Sequence, residues 1–127
     1  MVDPCNYRLL LAGKTSVSAS APFKHGVPHH NPPKPTIVVV DDDSDTVEFL
    51  CDYLRGMGFH AVRCRPGPHT PACIAEHAPS LVILDLEMGD TTGIDVFHAM
   101  RADSATHRVP VIFFTGNADK FRHQLPP

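Results

Sequence analysis

No apolar run in this chain is longer than four residues, far short of the ~20 needed to cross a bilayer as a helix. A large charge of either sign is also missing. The formal net charge is −3 over 127 residues, which leaves no overall electrostatic footprint for nucleic acid. Hydrophobic residues at 43% and charged residues at 20% exclude a wholly disordered chain, a collagen-like repeat and a coiled coil. Cysteine is sparse and irregularly spaced, at Cys5, Cys51, Cys64 and Cys73. Two of the four sit in apolar-periodic segments where a reduced, buried thiol is normal, so the sequence predicts a reduced, cytoplasmic protein and no disulfide framework. Leu9-Leu10-Leu11-Ala12 is too short for the ~7–15-residue core of a signal peptide, and Arg8 abuts it.

Proline, in contrast, is plentiful, with 13 residues, about twice the usual ~5%. Six of them fall within the first 35 residues, which carry a net charge of +3, while residues 36–127 carry −6. The expected organisation is a basic, Pro-rich leader over 1–35, disordered, followed by an acidic 92-residue body over 36–127. Pro32-Pro33-Lys34-Pro35 reads as an extended spacer. His25, His29 and His30 lack cysteine or carboxylate partners nearby and read as solvated.

At Thr36 the pattern changes. Thr36-Ile37-Val38-Val39-Val40 is a β-branched run of the kind that is covered on both faces in a parallel sheet. Val47, Leu50, Cys51, Leu54 and Met57 form one apolar helix stripe, with Asp45 and Glu48 suiting its positive N-terminus and Gly56 and Gly58 stopping it. A short strand is expected over Phe59–Cys64 and a turn over Arg65–Pro68. A helix capped by Thr70 should then run to about His77. Ser80–Leu84 is a second doubly buried strand, Gly93 to about Ala102 a helix, and Val109–Phe114 a further buried strand. Ala118–Leu125 makes a helical stub. The order βαβαβαβ predicts an α/β fold with an open, doubly wound parallel sheet.

In such a sheet the binding crevice lies beyond the carboxyl ends of the strands. Those ends carry Asp41, Asp42 and Asp43 on one strand, Asp85 on the next and Thr115 on the last. Carboxylates converging on a small crevice repel one another unless a cation sits between them. A hard, oxygen-liganded Mg²⁺ is the natural cation. A carboxylate beside such a metal can attack a phosphoryl group to form an acyl phosphate.

These residues resemble the receiver domain of bacterial two-component response regulators. Val38-Val39-Val40-Asp41-Asp42 matches the family's acidic pair, Leu81-Val82-Ile83-Leu84-Asp85-Leu86-Glu87-Met88 its phospho-acceptor motif, and Val111-Ile112-Phe113-Phe114-Thr115-Gly116 its fourth strand. Gly93 falls where the family places a glycine after the acceptor loop. The resemblance implies the flavodoxin-like receiver fold, with Asp85 as phospho-acceptor and Thr115 as the switch hydroxyl. It also implies Mg²⁺ held by Asp42, Asp85 and the backbone carbonyl of Glu87, with Asp41 helping indirectly. The implied donor is a phosphohistidine on a sensor histidine kinase or phosphotransfer protein. The domain would be a signalling phospho-acceptor that transfers phosphate only to itself, not an enzyme acting on other substrates.

The match also has gaps. Gly89 stands in place of the usual proline and Thr92 in place of the usual aspartate. Only twelve residues follow Thr115. The family's fifth strand, the lysine that ends it and the last helix are therefore expected to be missing, with Lys120 too early to be that lysine. Val111–Phe114 should then be an exposed sheet edge, able to pair two chains into a homodimer, and part of the Val47/Leu50/Leu54 side should lie uncovered. No DNA-binding domain follows within the chain. Two other readings stay open. One is a receiver-like interaction module that never uses phosphate. The other is an aspartate-nucleophile phosphohydrolase of the haloacid dehalogenase type, centred on Asp41-Asp42-Asp43. His69, Cys73 and His77 are spaced four apart like metal ligands, but Pro71 puts His69 ahead of the helix, which argues against a zinc site. His60, His98 and His107 read as partly exposed fillers, and His123 lies on the stub.

Overall fold

A computed structural model describes residues 7–11, 33–116 and 118–125. The four expected strands form, and a fifth joins them. β1 is Tyr7–Leu11, β2 is Thr36–Val40, β3 is His60–Arg63, β4 is Leu81–Leu84 and β7 is Val111–Thr115. They make one five-stranded parallel sheet in the order β1-β7-β4-β2-β3. A two-stranded antiparallel ribbon, β5 (Glu87–Met88) with β6 (Thr91–Thr92), follows β4. No helical or strand period marks this ribbon in the sequence. Its turn includes Gly89 at φ +69°, where a glycine is at ease and a proline cannot sit.

The helices are α1 (Ser44–Gly56), α2 (Thr70–His77), α3 (Gly93–Ala102) and the short α4 (Ala118–Phe121). Asp43 caps α1, accepting a hydrogen bond from the Asp45 amide at 3.3 Å and one from the Thr46 hydroxyl at 2.7 Å. Thr92 caps α3 through the Asp95 amide. Thr70 does not cap α2 as expected. His69 holds the capping position without a side-chain bond, and the buried Thr70 hydroxyl instead donates to the Arg65 carbonyl at 2.7 Å.

Alternation along the strands divides the core in two. Val38, Val40, Val82, Leu84, Val111 and Phe113 face α2 and α3, where Ile74, Ile94, Phe97 and Met100 meet them, and Phe121 closes the same cluster. Ile37, Val39 and Ile83 face α1, where Val47, Cys51 and Leu54 are buried. Leu50, Ile112 and Phe114 on that side are only partly buried. The partly open side fits the expectation of an uncovered surface there. Met57, counted in the α1 stripe from sequence, is exposed because it forms the C-cap, not part of the helix.

Three expectations are corrected. The leader does contain a strand: β1 pairs in parallel with β7, from Tyr7 beside Val111 to Leu11 beside Thr115. The sheet therefore has its fifth strand, drawn from the N-terminal side of the chain. The physical reason is the edge itself, since unpaired N–H and C=O groups on an apolar strand recruit any extended segment that can reach them. β7 is consequently flanked on both sides, which removes the exposed edge on which a homodimer was expected. Leader residues 1–6 and 12–32 lie outside the described ones, the histidines at 25, 29 and 30 among them. Finally, Cys64 and Cys73 are joined in a disulfide, with Cα atoms 6.0 Å apart, while Cys51 is a free, buried thiol. The end of β3 and the first turns of α2 meet in space, which the spacing of the cysteines does not reveal.

Candidate functional site

Because the strands are parallel, the carboxyl ends of β2, β4 and β7 open on one side of the sheet. Val40 pairs with Leu84, and Leu84 with Phe113. The next residues, Asp41 and Asp85, therefore stand level, and Thr115 ends the neighbouring strand. The Asp85 amide fixes this register by donating to the Val40 carbonyl at 2.9 Å. Asp41, Asp42, Asp43, Thr46, Asp85, Phe114, Thr115 and Gly116 line an open hollow of about 200 Å³.

Asp41 is only 6% exposed, Asp85 is half-buried and Asp42 is exposed. One carboxylate oxygen from each of the three lies within 4.8 Å of the others. The Asp43 amide donates to Asp41 Oδ1 at 2.9 Å, and the Glu87 amide to Asp85 Oδ1 at 3.2 Å. Burial raises the Asp41 carboxyl above the ordinary range, against the pull of the Asp43 amide. Asp85 is pushed up to about 7, chiefly by burial, with the Glu87 amide opposing and the charges of Asp41 and Asp42 adding to the rise. The Asp41–Asp85 pair thus holds a proton on Asp85 close to neutrality. Crowded, partly dehydrated oxygens of one charge fit a small, hard divalent cation such as Mg²⁺.

The acceptor loop is held from below. A methyl group on Gly93 would come within 2.2 Å of the Asp85 carbonyl oxygen, and the Gly93 amide donates to the Leu86 carbonyl at 3.0 Å. α3 can start this close to Asp85 only because Gly93 has no side chain. Leu86 and Met88 are buried in the cluster beneath.

The structure brings together Asp41, Asp42, Asp85 and Thr115 as expected from sequence. Glu87 contributes its amide to Asp85, while its side chain pairs with Lys120 on α4. Sequence reasoning missed two features here. The Glu87–Lys120 pair spans 33 residues with no pattern to announce it. Thr46 also lines the hollow, and its bond to the Asp43 cap is the local signal that placed it there. His69, Cys73 and His77 do not come together. The cluster that forms is instead Cys64, after β3, with Cys73 and His77 of α2.

A family model described as the response regulator receiver domain matches residues 37–124. Among curated proteins, the chain is 40% identical over 83 residues to the DNA-binding response regulator MtrA of Mycolicibacterium paratuberculosis, covering 65% of this chain and 36% of that protein. The chain therefore spans about a third of the length of that relative. It is 25% identical over 85 residues to the polar-differentiation response regulator DivK of Brucella ovis, covering 67% of this chain and 69% of DivK. Among solved structures, a response regulator receiver protein from Pseudomonas putida superposes with a TM-score of 0.60 at 25% identity, covering 74% of this chain and 82% of that one. The receiver domain of a sensor histidine kinase from Pseudomonas aeruginosa, described with a magnesium ion coordinated in its active-site cleft, shares the fold with a TM-score of 0.66 at 21% identity. That match covers 71% of this chain and 75% of the other.

Proposed function

Because the chain belongs to the response regulator receiver domain family of two-component systems, we propose that its signalling step is phosphorylation of Asp85, with Mg²⁺ held at Asp42, Asp85 and the Glu87 carbonyl. The observation that carries this reading is the meeting of Asp41, Asp42, Asp85 and Thr115 around one hollow, from three separate strand ends. A lone acid at a strand end is solvated as a rule. Asp41 and Asp85, both raised by burial and set beside each other, need a cation or a proton to sit together.

Asp85 supplies the nucleophilic oxygen. A carboxylate oxygen bonds to phosphorus as the bond from phosphorus to the donor imidazole nitrogen breaks, and the imidazole leaves with that electron pair. The attacking form is the ionised one, so Asp85 must first give up the proton that burial and Asp41 favour. Bound cation supplies the positive charge that holds the carboxylates ionised and offsets charge on the phosphoryl oxygens. The Glu87 amide keeps Asp85 aimed into the hollow. Thr115, at the end of β7, donates its hydroxyl to a phosphoryl oxygen once the acyl phosphate has formed. Asp41, buried against the Asp43 amide, raises the negative potential felt by the cation without ligating it.

The proposed donors are a sensor histidine kinase or a phosphotransfer protein, and the domain acts as a phospho-acceptor. Among the described residues no helix is long and apolar enough to cross a membrane. The cytoplasmic placement proposed for the protein finds no support at Cys64 and Cys73, which are oxidised here. The test is labelling of the full chain by radioactive acetyl phosphate with and without Mg²⁺. We expect Mg²⁺-dependent, acid-stable, base-labile label that disappears in Asp85→Asn. An unlabelled wild-type chain would instead support a receiver-like interaction module that does not use phosphate. Label retained by Asp85→Asn but lost in Asp41→Asn would support the phosphohydrolase reading.

A further inference from the structure

Away from the acidic hollow, three potential ligands for a softer metal share one patch. Cys64 follows β3 and is buried, Cys73 lies half-buried on α2, and His77 is exposed one turn later on the same helix. One ligand atom from each lies within 4.8 Å of the other two. Cys73 Sγ and His77 Nδ1 are 3.9 Å apart. In a tetrahedral zinc site with Zn–S of ~2.3 Å and Zn–N of ~2.0–2.1 Å, sulfur and nitrogen stand about 3.6 Å apart. The i, i+4 spacing of Cys73 and His77 therefore already meets the geometry that two zinc ligands need.

In the disulfide the two sulfurs are too close to share a metal and carry no charge to bind one. The geometry points to a redox-gated zinc site: Cys64, Cys73 and His77 hold Zn²⁺ when the disulfide is reduced and release it when the disulfide forms. A dithiol reductant supplies the electrons. It transfers two electrons and two protons to the Cys64–Cys73 bond, leaving two thiols and a cyclic disulfide of its own. Zn²⁺ then displaces one proton from each thiol, and His77 binds through its lone pair as a neutral ligand. The ring nitrogen nearest Cys73 Sγ also lies 2.9 Å from the Cys73 carbonyl. Metal binding exchanges that contact for a coordinate bond, and the exposure of His77 lets the ring turn. Three protein ligands leave a fourth position for water or another donor, the pattern of an exchangeable site and not of a closed structural one. Oxidation reverses the order: an oxidant such as a disulfide or peroxide accepts two electrons, the sulfurs join, and the metal leaves.

The site ties the carboxyl end of β3 to the start of α2, so its occupancy bears on the helix that covers one face of the sheet. It is independent of the phospho-acceptor reading, since it shares no residue with the acidic hollow. The test uses the full chain with Cys5→Ser, which removes the cysteine outside the described residues. The chain is reduced with dithiothreitol, freed of reductant without air and titrated with Co²⁺ and then Zn²⁺. We expect the near-ultraviolet thiolate-to-cobalt band and tetrahedral visible bands at one equivalent, displaced by Zn²⁺, and no such spectrum from the oxidised chain. His77→Ala, an exposed substitution that leaves the fold intact, should weaken Zn²⁺ by more than about tenfold, since even an outer-shell partner is commonly worth that much. Cys73→Ser should abolish the thiolate band. A reduced, folded chain that binds no Co²⁺, or binds it equally well in His77→Ala, overturns the proposal. So does an oxidised chain that gives the same spectrum.

Discussion

The two faces of the sheet are built from the same β-branched strands and yet differ in how they are covered. On one face Val38, Val40, Val82, Leu84, Val111 and Phe113 lie under α2, α3 and Phe121, and all six are essentially inaccessible to water. On the other, α1 covers Ile37, Val39 and Ile83, while Ile112 and Phe114 are partly buried with no described helix over them. Alternation in a strand specifies two apolar faces but not how much of each finds a partner. The difference bears on the site. The acceptor loop hangs from the closed face, where Leu86 and Met88 are anchored and Gly93 brings α3 against the Asp85 carbonyl. Asp85 is thus held by the better-packed half of the molecule, while Asp41 is held by the Asp43 amide at the start of α1.

The sharpest way to test that contrast is Phe97→Ala. Phe97 is fully buried, packs at a tilt against Phe113 with ring centroids 5.4 Å apart and lies under the Arg101 guanidinium at 4.5 Å. Its truncation should cost about 3–5 kcal/mol by denaturant unfolding, enough to unfold a marginal domain. A loss close to that of an open-face substitution would show that the two faces are equal after all. Gly93→Ala comes next, because the added methyl meets backbone and not a flexible side chain. We expect a loss of about 2–3 kcal/mol, in the range for overpacking, together with a fall in Asp85 labelling greater than the loss of folded protein explains. Unchanged labelling per folded molecule would detach the site from the closed face.

A smaller effect is expected from pH in metal-free buffer. Asp85 titrates near 7 in the folded chain and near 3.8 when unfolded, so the native state binds more protons between those values. Stability should therefore fall as pH rises from about 4 to about 7 and level off above. Added Mg²⁺ should flatten the slope, and Asp85→Asn should remove most of it. Thermal melting across that window checks the sign, and a rise in stability with pH would show that the Asp41–Asp85 pair does not hold its proton. The smallest change is expected for Ile112→Ala on the open face. Being only partly buried, it should cost about 1 kcal/mol, and a loss matching that of Phe97→Ala would mean that this face is covered in solution.

Much of this arrangement was legible in the sequence, and for a physical reason. The runs at 36–40, 81–84 and 111–115 are short, continuous and rich in β-branched residues, which is typical of buried parallel strands. Once their order is known, the acids at their ends fall together, and Asp41, Asp42, Asp85 and Thr115 meet as expected. The strand in the leader was not legible. Leu9-Leu10-Leu11 carries no alternation and sits among residues of turn-forming composition, and only the open edge of β7 gives it a reason to be a strand. The Cys64–Cys73 pair was hidden for a similar reason. A separation of nine residues says nothing until β3 and α2 are placed side by side.

Taken alone, then, the sequence determined the parallel α/β class, the chain position of each core strand and the acids that end them, because periodicity and strand-end chemistry are local properties. Tertiary structure alone decided which segment completes the sheet beside β7, which face is closed, and that Cys64, Cys73 and His77 share a patch. Those outcomes depend on edges and surfaces that exist only after distant segments have met. No short-range pattern can encode a contact whose energy comes from a partner elsewhere in the chain.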